Sequence, residues 1–272
     1  MKGLYFIKIG GSAITDLSKP NTLSSGPVTI ASLLQEFKDV YASGGFDVII
    51  GHGSGSFAHV PAKKYRINEG LAYSDSRVGA AITHLTAKEL NTIFVNEGLK
   101  LGLPLYPFSP GHFSFSDGTG LAGFCGHISE AIEKGFIPVV HGDVVIDRER
   151  GVSIASTEAV FDFISRSITP SKILYGSDTD GVFTADPKID KSAKHIAVID
   201  SSNIGSALQN TGASKSRVDV TGGMATKLAK LYETCRLTGA EGYIFNITRP
   251  GALKAMLSGN ADPSIYTLVK GS

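Results

Sequence analysis

Short β-branched runs alternate along this chain with longer stretches of helical periodicity, and that alternation limits the fold more than any other feature. Runs at 4–9, 48–50, 137–140, 173–175 and 242–247 predict buried strands. Patterns at 30–41, 77–97, 127–134, 157–167 and 226–238 predict the helices between them. Such a chain folds as α/β layers, a mainly parallel sheet with helices on both faces. Loops that follow parallel strands gather at the carboxyl edge of the sheet, where ligands bind. There is no internal repeat or low-complexity linker; a weak lobe division falls at Thr169-Pro170, within a single domain of 1–272. Residues 16–26 and 202–216, rich in Ser, Asn, Thr and Gly, are candidate mobile flaps.

Bulk properties narrow the partners. With 42% hydrophobic and 19% charged residues among 272, the chain can bury a sizeable core. A formal net charge of +1 argues against a nucleic-acid footprint or a membrane-surface protein, so any anion site must be local. Cys125 and Cys235 lie far apart with no metal-type spacing, which implies neither a disulfide framework nor a metal site. The opening MKGLYFIKIGGS is too short in apolar residues for a signal peptide, and no run approaches the ~20 residues of a membrane span. The expectation is a reduced, soluble, cytoplasmic protein.

Four glycine-bearing stretches carry the chemistry: KIGGS (8–12), GHGSGSFAH (51–59), SDTDG (177–181) and DVTGGMATK (219–227). Glycine loops after strands, and helix N-termini, aim backbone N–H groups at anions. Lys8 and Lys227 add full positive charges. Each stretch by itself is equally a tight turn. GHGSGS lacks the third glycine of G-x-G-x-x-G, there is no G-x-x-x-x-G-K-[ST], and the G-x-S-x-G frame of a hydrolase elbow is missed by one residue. Two facing phosphate cradles, brought to one sheet edge, are the arrangement for phosphoryl transfer.

The order K-x-G-G-S, H-G-x-G-S-F-x-H, G-D-V-V, D-x-D-G-V-[YF]-x-x-[DN]-P, D-V-T-G-G-M-x-x-K resembles the amino acid kinase superfamily, and within it the isopentenyl phosphate kinases. The resemblance runs from Lys8 to Lys227; the S-F-x-H element is absent from relatives that phosphorylate carboxylates. It implies a three-layer α/β/α sandwich, commonly a homodimer, transferring the γ-phosphoryl of ATP, with Mg²⁺, to isopentenyl phosphate. In that reading the acceptor is bound by the lobe of residues 1–169 and the nucleotide by 170–272. Lys8 corresponds to the lysine between the two phosphates, with Gly10, Gly11 and Ser12 as its loop. Ser54 and Gly55 correspond to the acceptor cradle, and His59 to the histidine that hydrogen-bonds the acceptor phosphate. Asp178, Gly181, Gly222 and Lys227 correspond to the nucleotide side. The chemistry agrees, because two anions must be neutralised and an ionised phosphate acceptor needs no general base. A histidine can donate a hydrogen bond in either protonation state.

Two positions depart from the family pattern. Leu17 stands where the family has a lysine on the γ-phosphate, and Lys19 is the nearest substitute. Ser156-Thr157-Glu158 stands where the family has S-G-D; the Thr157 N–H then replaces the glycine amide, and its hydroxyl could add a donor. Asp143 either orients Lys8 by ion pairing or caps the following turn. The acceptor tail is expected along helix 77–97 and under residues 144–146, with Ala80, Ala81 and Ala87 lining its pocket, unless those alanines only allow close packing. Alternatives are another alkyl phosphate, a phosphonate as in the fosfomycin kinases, or a carboxylate as acceptor, or a non-catalytic nucleotide-binding sensor or storage protein.

Overall fold

The computed structural model describes residues 2–212 and 223–272. Its centre is an eight-stranded sheet in the order Val198–Ile199, Tyr266–Val269, Glu241–Asn246, Lys172–Ser177, Gly3–Ile9, Phe46–His52, Ile137–His141, Leu105–Pro107. The last six of these run parallel; Tyr266–Val269 pairs antiparallel with Glu241–Asn246. The sheet is therefore mainly parallel, with a reversed edge that the sequence reading did not anticipate.

Period-two alternation feeds two cores. Val48 and Ile50 face one side, with helices Ile30–Tyr41, Ser76–Lys100 and Ala252–Ser258. Ile49 and Phe6 face the other, with helices Gly126–Glu133, Thr157–Ser165 and Gly223–Thr238. The helices thus form the two outer layers expected. Local signals set their ends. Thr29 and Ser32 cap Ile30–Tyr41 reciprocally, and the Ser156 hydroxyl accepts from the Ala159 N–H at the start of Thr157–Ser165.

Three elements were not legible. Helix Gly55–Lys64 begins with a glycine and contains Pro61, both poor helix formers, yet buries Phe57, Ala58 and Ala62. A second sheet, Leu121–Gly123, Ser114–Ser116, Asp143–Asp147 and Gly151–Ala155, stands beside the central one. Residues 204–212 of the expected second flap form a helix; 213–216 lie outside the described residues. The other expected flap is anchored: Thr15 bridges Leu23, the Asp16 N–H donates to the Thr22 carbonyl at 2.9 Å, and Ser56 Oγ donates to the same carbonyl at 3.2 Å.

Strand Gly3–Ile9 lies between Phe46–His52 and Lys172–Ser177, so the chain leaves it in both directions. The crevice beyond the carboxyl ends of these three strands is the topological switch point where α/β sheets bind ligands.

Candidate active site

A cavity of about 530 Å³ opens at that crevice. Lys8, Gly10, Gly11, Ser12, Ser54, Gly55, His59, Asp143, Thr157, Asp178, Gly181 and Lys227 all line it. Residues from all four glycine stretches thus meet in one cavity. Gly222 lies outside the described residues.

The first two glycine loops serve each other's approach as much as a ligand's. A Cβ on Gly11 would come 2.5 Å from the Gly55 nitrogen, and one on Gly53 would come 2.7 Å from the Gly11 nitrogen. Gly55 has φ +47°, and a side chain there would collide with Thr15. Backbone bonds tie the loops to the sheet: Gly10 N–H donates to the Gly176 carbonyl at 3.1 Å and Gly53 N–H to the Ile9 carbonyl at 2.9 Å.

Lys8 has the same strand parity as Phe6, which turns it toward helix Thr157–Ser165. There its Nζ donates to Glu158 Oε1 at 2.7 Å, with both side chains buried. The Tyr175 ring centroid lies 5.8 Å from the ammonium. Burial pushes the Glu158 carboxyl up, but the charge and hydrogen bond of Lys8, with the charge of Lys227, outweigh it and hold the group ionised. Asp178 behaves alike: burial raises it, and the bond from Lys188 at 2.5 Å with the charges of Lys188 and Lys227 brings it below its usual value. Three lysines, Lys8, Lys188 and Lys227, thus line the cavity with the carboxylates Asp143, Glu158, Asp178 and Asp186.

Several sequence expectations are corrected. Asp143 does not pair with Lys8. Its Oδ1 takes a 2.7 Å bond from His84 Nδ1 and one of 2.7 Å from the Val144 N–H, because it starts the strand of the second sheet that packs on helix Ser76–Lys100. The Thr157 hydroxyl is not an extra donor to the cavity; it donates to the His52 carbonyl at 2.8 Å. Lys19 is not among the cavity residues: its side chain is 70% exposed and lies 4.0 Å from Asp16, while Leu17 lines the cavity. Ala80 packs with Ala62 and Val144 in a small core, Ala87 is fully buried, and Ala81 is exposed. None of the three lines the cavity, and Ile146 is exposed. The apolar end is instead formed by Ala58, Ala62, Val144 and Ile154, with Thr83 the contribution of the long helix.

Glu158 and Lys188 were missed. The only signal for Glu158 was its displacement of the family's aspartate. Lys188 follows Asp186-Pro187 directly, one residue past the end of the D-x-D-G-V-[YF]-x-x-[DN]-P motif, which specifies no cation. His84 had no local signal, since nothing near it in sequence announces Asp143.

The model of the amino acid kinase family matches residues 4–246. The isopentenyl phosphate kinase of Methanothermobacter thermautotrophicus is 30% identical over 94% of this chain and 96% of its own. That of Methanocaldococcus jannaschii is 28% identical over 95% and 96%. A crystal structure of an isopentenyl phosphate kinase superposes with a TM-score of 0.81 at 25% identity, covering 98% of this chain and 100% of the other. With its glycine loops and paired lysines gathered at one sheet edge, and with this match across most of its length, the chain belongs to the amino acid kinase family.

Proposed function

We propose that the protein transfers the γ-phosphoryl group of ATP to isopentenyl phosphate, forming isopentenyl diphosphate and ADP. One observation carries the reading: the cavity that Lys8, Lys227 and the glycine loops line is lined also by His59 and by the apolar side chains of Ala58, Ala62, Val144 and Ile154. A small phosphate with a short hydrocarbon tail has that distribution of polarity. The relatives named as isopentenyl phosphate kinases support the same acceptor.

In this mechanism residues up to about 169 bind the acceptor and those from 170 onward the nucleotide. Lys8 lies between the two phosphates and neutralises charge on the moving group, with Glu158 holding its ammonium in place. Lys227 and Lys188 neutralise the nucleotide phosphates, beside Asp178 and Gly181. The backbone N–H groups of Ser54 and Gly55, just before the committed Ser56 and Phe57 N–H groups, and the His59 imidazole bind the acceptor phosphate, whose ionised oxygen attacks without a base. Mg²⁺ enters as part of the nucleotide substrate. Of the cavity carboxylates, Glu158 and Asp178 are engaged by lysines, Asp143 by His84, and Asp186 accepts from the Lys188 N–H, which would suit a metal held mainly by phosphate oxygens.

Among the described residues no helix is long and apolar enough to cross a membrane, in keeping with a cytoplasmic enzyme. The homodimer common to the family has a suitable face on helix Ser76–Lys100, where Val78 and Leu85 are exposed one above the other. The test is a coupled ADP-release assay over isopentenyl phosphate, dimethylallyl phosphate, fosfomycin and amino-acid acceptors. Turnover confined to the prenyl phosphates is the expected result, and preference for fosfomycin or a carboxylate would overturn it.

A further inference from the structure

His52 is a buried histidine for which phosphoryl transfer has no direct use. It ends strand Phe46–His52 with no exposed surface and does not line the cavity. Its Nδ1 lies 3.2 Å from the Gly53 carbonyl oxygen, and its Nε2 lies 3.0 Å from Oδ1 of Asn91 in helix Ser76–Lys100. Phe94 and His141 stack against the ring at 5.0 and 5.7 Å. Burial, helped by the neighbouring His141, pushes the imidazole pKa down to about 4, so the ring is neutral at physiological pH. A neutral imidazole carries one N–H. The Gly53 carbonyl can only accept, so the proton belongs on Nδ1. Nε2 is then an acceptor, and the Asn91 amide, turned end for end, gives it an N–H. Asn91 thereby fixes the tautomer, and the tautomer fixes the bond to Gly53.

That bond has a consequence one atom further along. In a planar trans peptide the C=O and N–H point in opposite directions. Holding the Gly53 carbonyl back toward His52 turns the Ser54 N–H the other way, to the side on which Gly53, Ser54 and Gly55 line the cavity. His52 itself cannot swing: its carbonyl accepts from the Gly142 N–H at 3.1 Å and from Thr157 Oγ1 at 2.8 Å. The Ser54 hydroxyl is also committed, donating to the Gly142 carbonyl at 2.5 Å. The backbone N–H is what Ser54 offers a ligand.

We propose that His52 and Asn91 form a positioning clamp that sets the Gly53–Ser54 peptide so that the Ser54 N–H meets an oxygen of the acceptor phosphate. The inference rests on the monophosphate-acceptor reading and adds to it a residue pair that touches neither substrate. The ring nitrogen that matters is Nδ1, and an asparagine at position 52 can place its side-chain N–H near the same point.

Steady-state kinetics of wild type, His52→Leu, His52→Asn and Asn91→Leu, with isopentenyl phosphate and ATP varied separately, test it. Loss of an orienting partner typically costs about 10–100-fold, so His52→Leu and Asn91→Leu raise the KM for isopentenyl phosphate by that factor and leave the KM for ATP unchanged. His52→Asn recovers most of the loss. If both KM values rise together in proportion to lowered Tm, and His52→Asn rescues nothing, the histidine only packs the core and the clamp is refuted. A measurement on the wild type needs no variant to fold: the Ser54 amide resonance shifts downfield when isopentenyl phosphate is added, and an unmoved resonance refutes the clamp. A wild type that turns over no isopentenyl phosphate overturns the acceptor reading and this proposal with it; an active wild type with the unfavourable variant pattern overturns the clamp alone.

Discussion

Replacing Glu158 with alanine removes a carboxylate paired with Lys8 in a place where water does little to solvate the charge. The pair is 2.7 Å apart and the two side chains are 6% and 7% exposed. Removing one partner of a buried ion pair costs about 3–5 kcal/mol, because the remaining charge stays in a medium that solvates it poorly. In a chain of this size each kcal/mol moves Tm by about 2–4 °C, so the ligand-free variant should melt about 6–20 °C below wild type. The Tyr175 ring, 5.8 Å from the ammonium, remains in the variant and favours the lower part of that range. ATP supplies the negative charge that the substitution removed, so its addition should raise the Tm of Glu158→Ala by more than it raises that of wild type. Differential scanning fluorimetry with and without ATP reads both effects. A variant melting within about 2 °C of wild type, and gaining no more from ATP, would refute the role given to this pair.

Lys8→Met and Lys227→Met should each lower kcat by about 10²–10³, the usual loss when one oriented donor to the moving charge is removed; near-normal turnover in either would contradict the mechanism. His59→Ala should raise the KM for isopentenyl phosphate and leave that for ATP alone, whereas equal weakening of both would make the histidine structural. Lys19→Ala should leave kcat unchanged and Lys188→Met should raise the KM for ATP, since only the second lysine lines the cavity; the reverse pattern would reinstate Lys19. The hydrogen bond from His84 to Asp143, aided by the carboxylate charge and opposed by burial, raises the His84 pKa. A raised folded pKa stabilises fully below the unfolded value of 6.5 and is lost as pH rises through the folded one, so the Tm advantage of wild type over His84→Asn should shrink above pH 6.5.

Local pattern carried much of the fold. Helix Ile30–Tyr41 has the predicted limits, and strands Gly3–Ile9, Ile137–His141 and Glu241–Asn246 differ from prediction only at their ends. These elements write their periodicity and caps into adjacent residues. Helix Gly55–Lys64 failed because its stability comes from burying Phe57 and Ala62 against other elements, which outweighs Gly55 and Pro61. The strands Asp143–Asp147 and Gly151–Ala155 pair with each other and, through Ser116, with a three-residue strand too short to carry a pattern.

By itself the sequence determined the α/β alternation, the glycines that end strands, and the residue types needed to hold two phosphates, because φ freedom, periodicity and charge are properties of single residues and near neighbours. It also determined that Lys8 shares a face with Phe6, opposite Ile7 and Ile9, since parity within one strand is local. Which partner met each charge was decided only in three dimensions. Lys8 found Glu158, 150 residues away, and Asp143 found His84, 59 residues away, because the order of strands in the sheet chooses which loops converge. The same convergence brought Lys188 to the cavity and left Lys19 outside it. A charge's partner depends on distances of a few ångströms between segments remote in the chain, and no pattern within either segment encodes them.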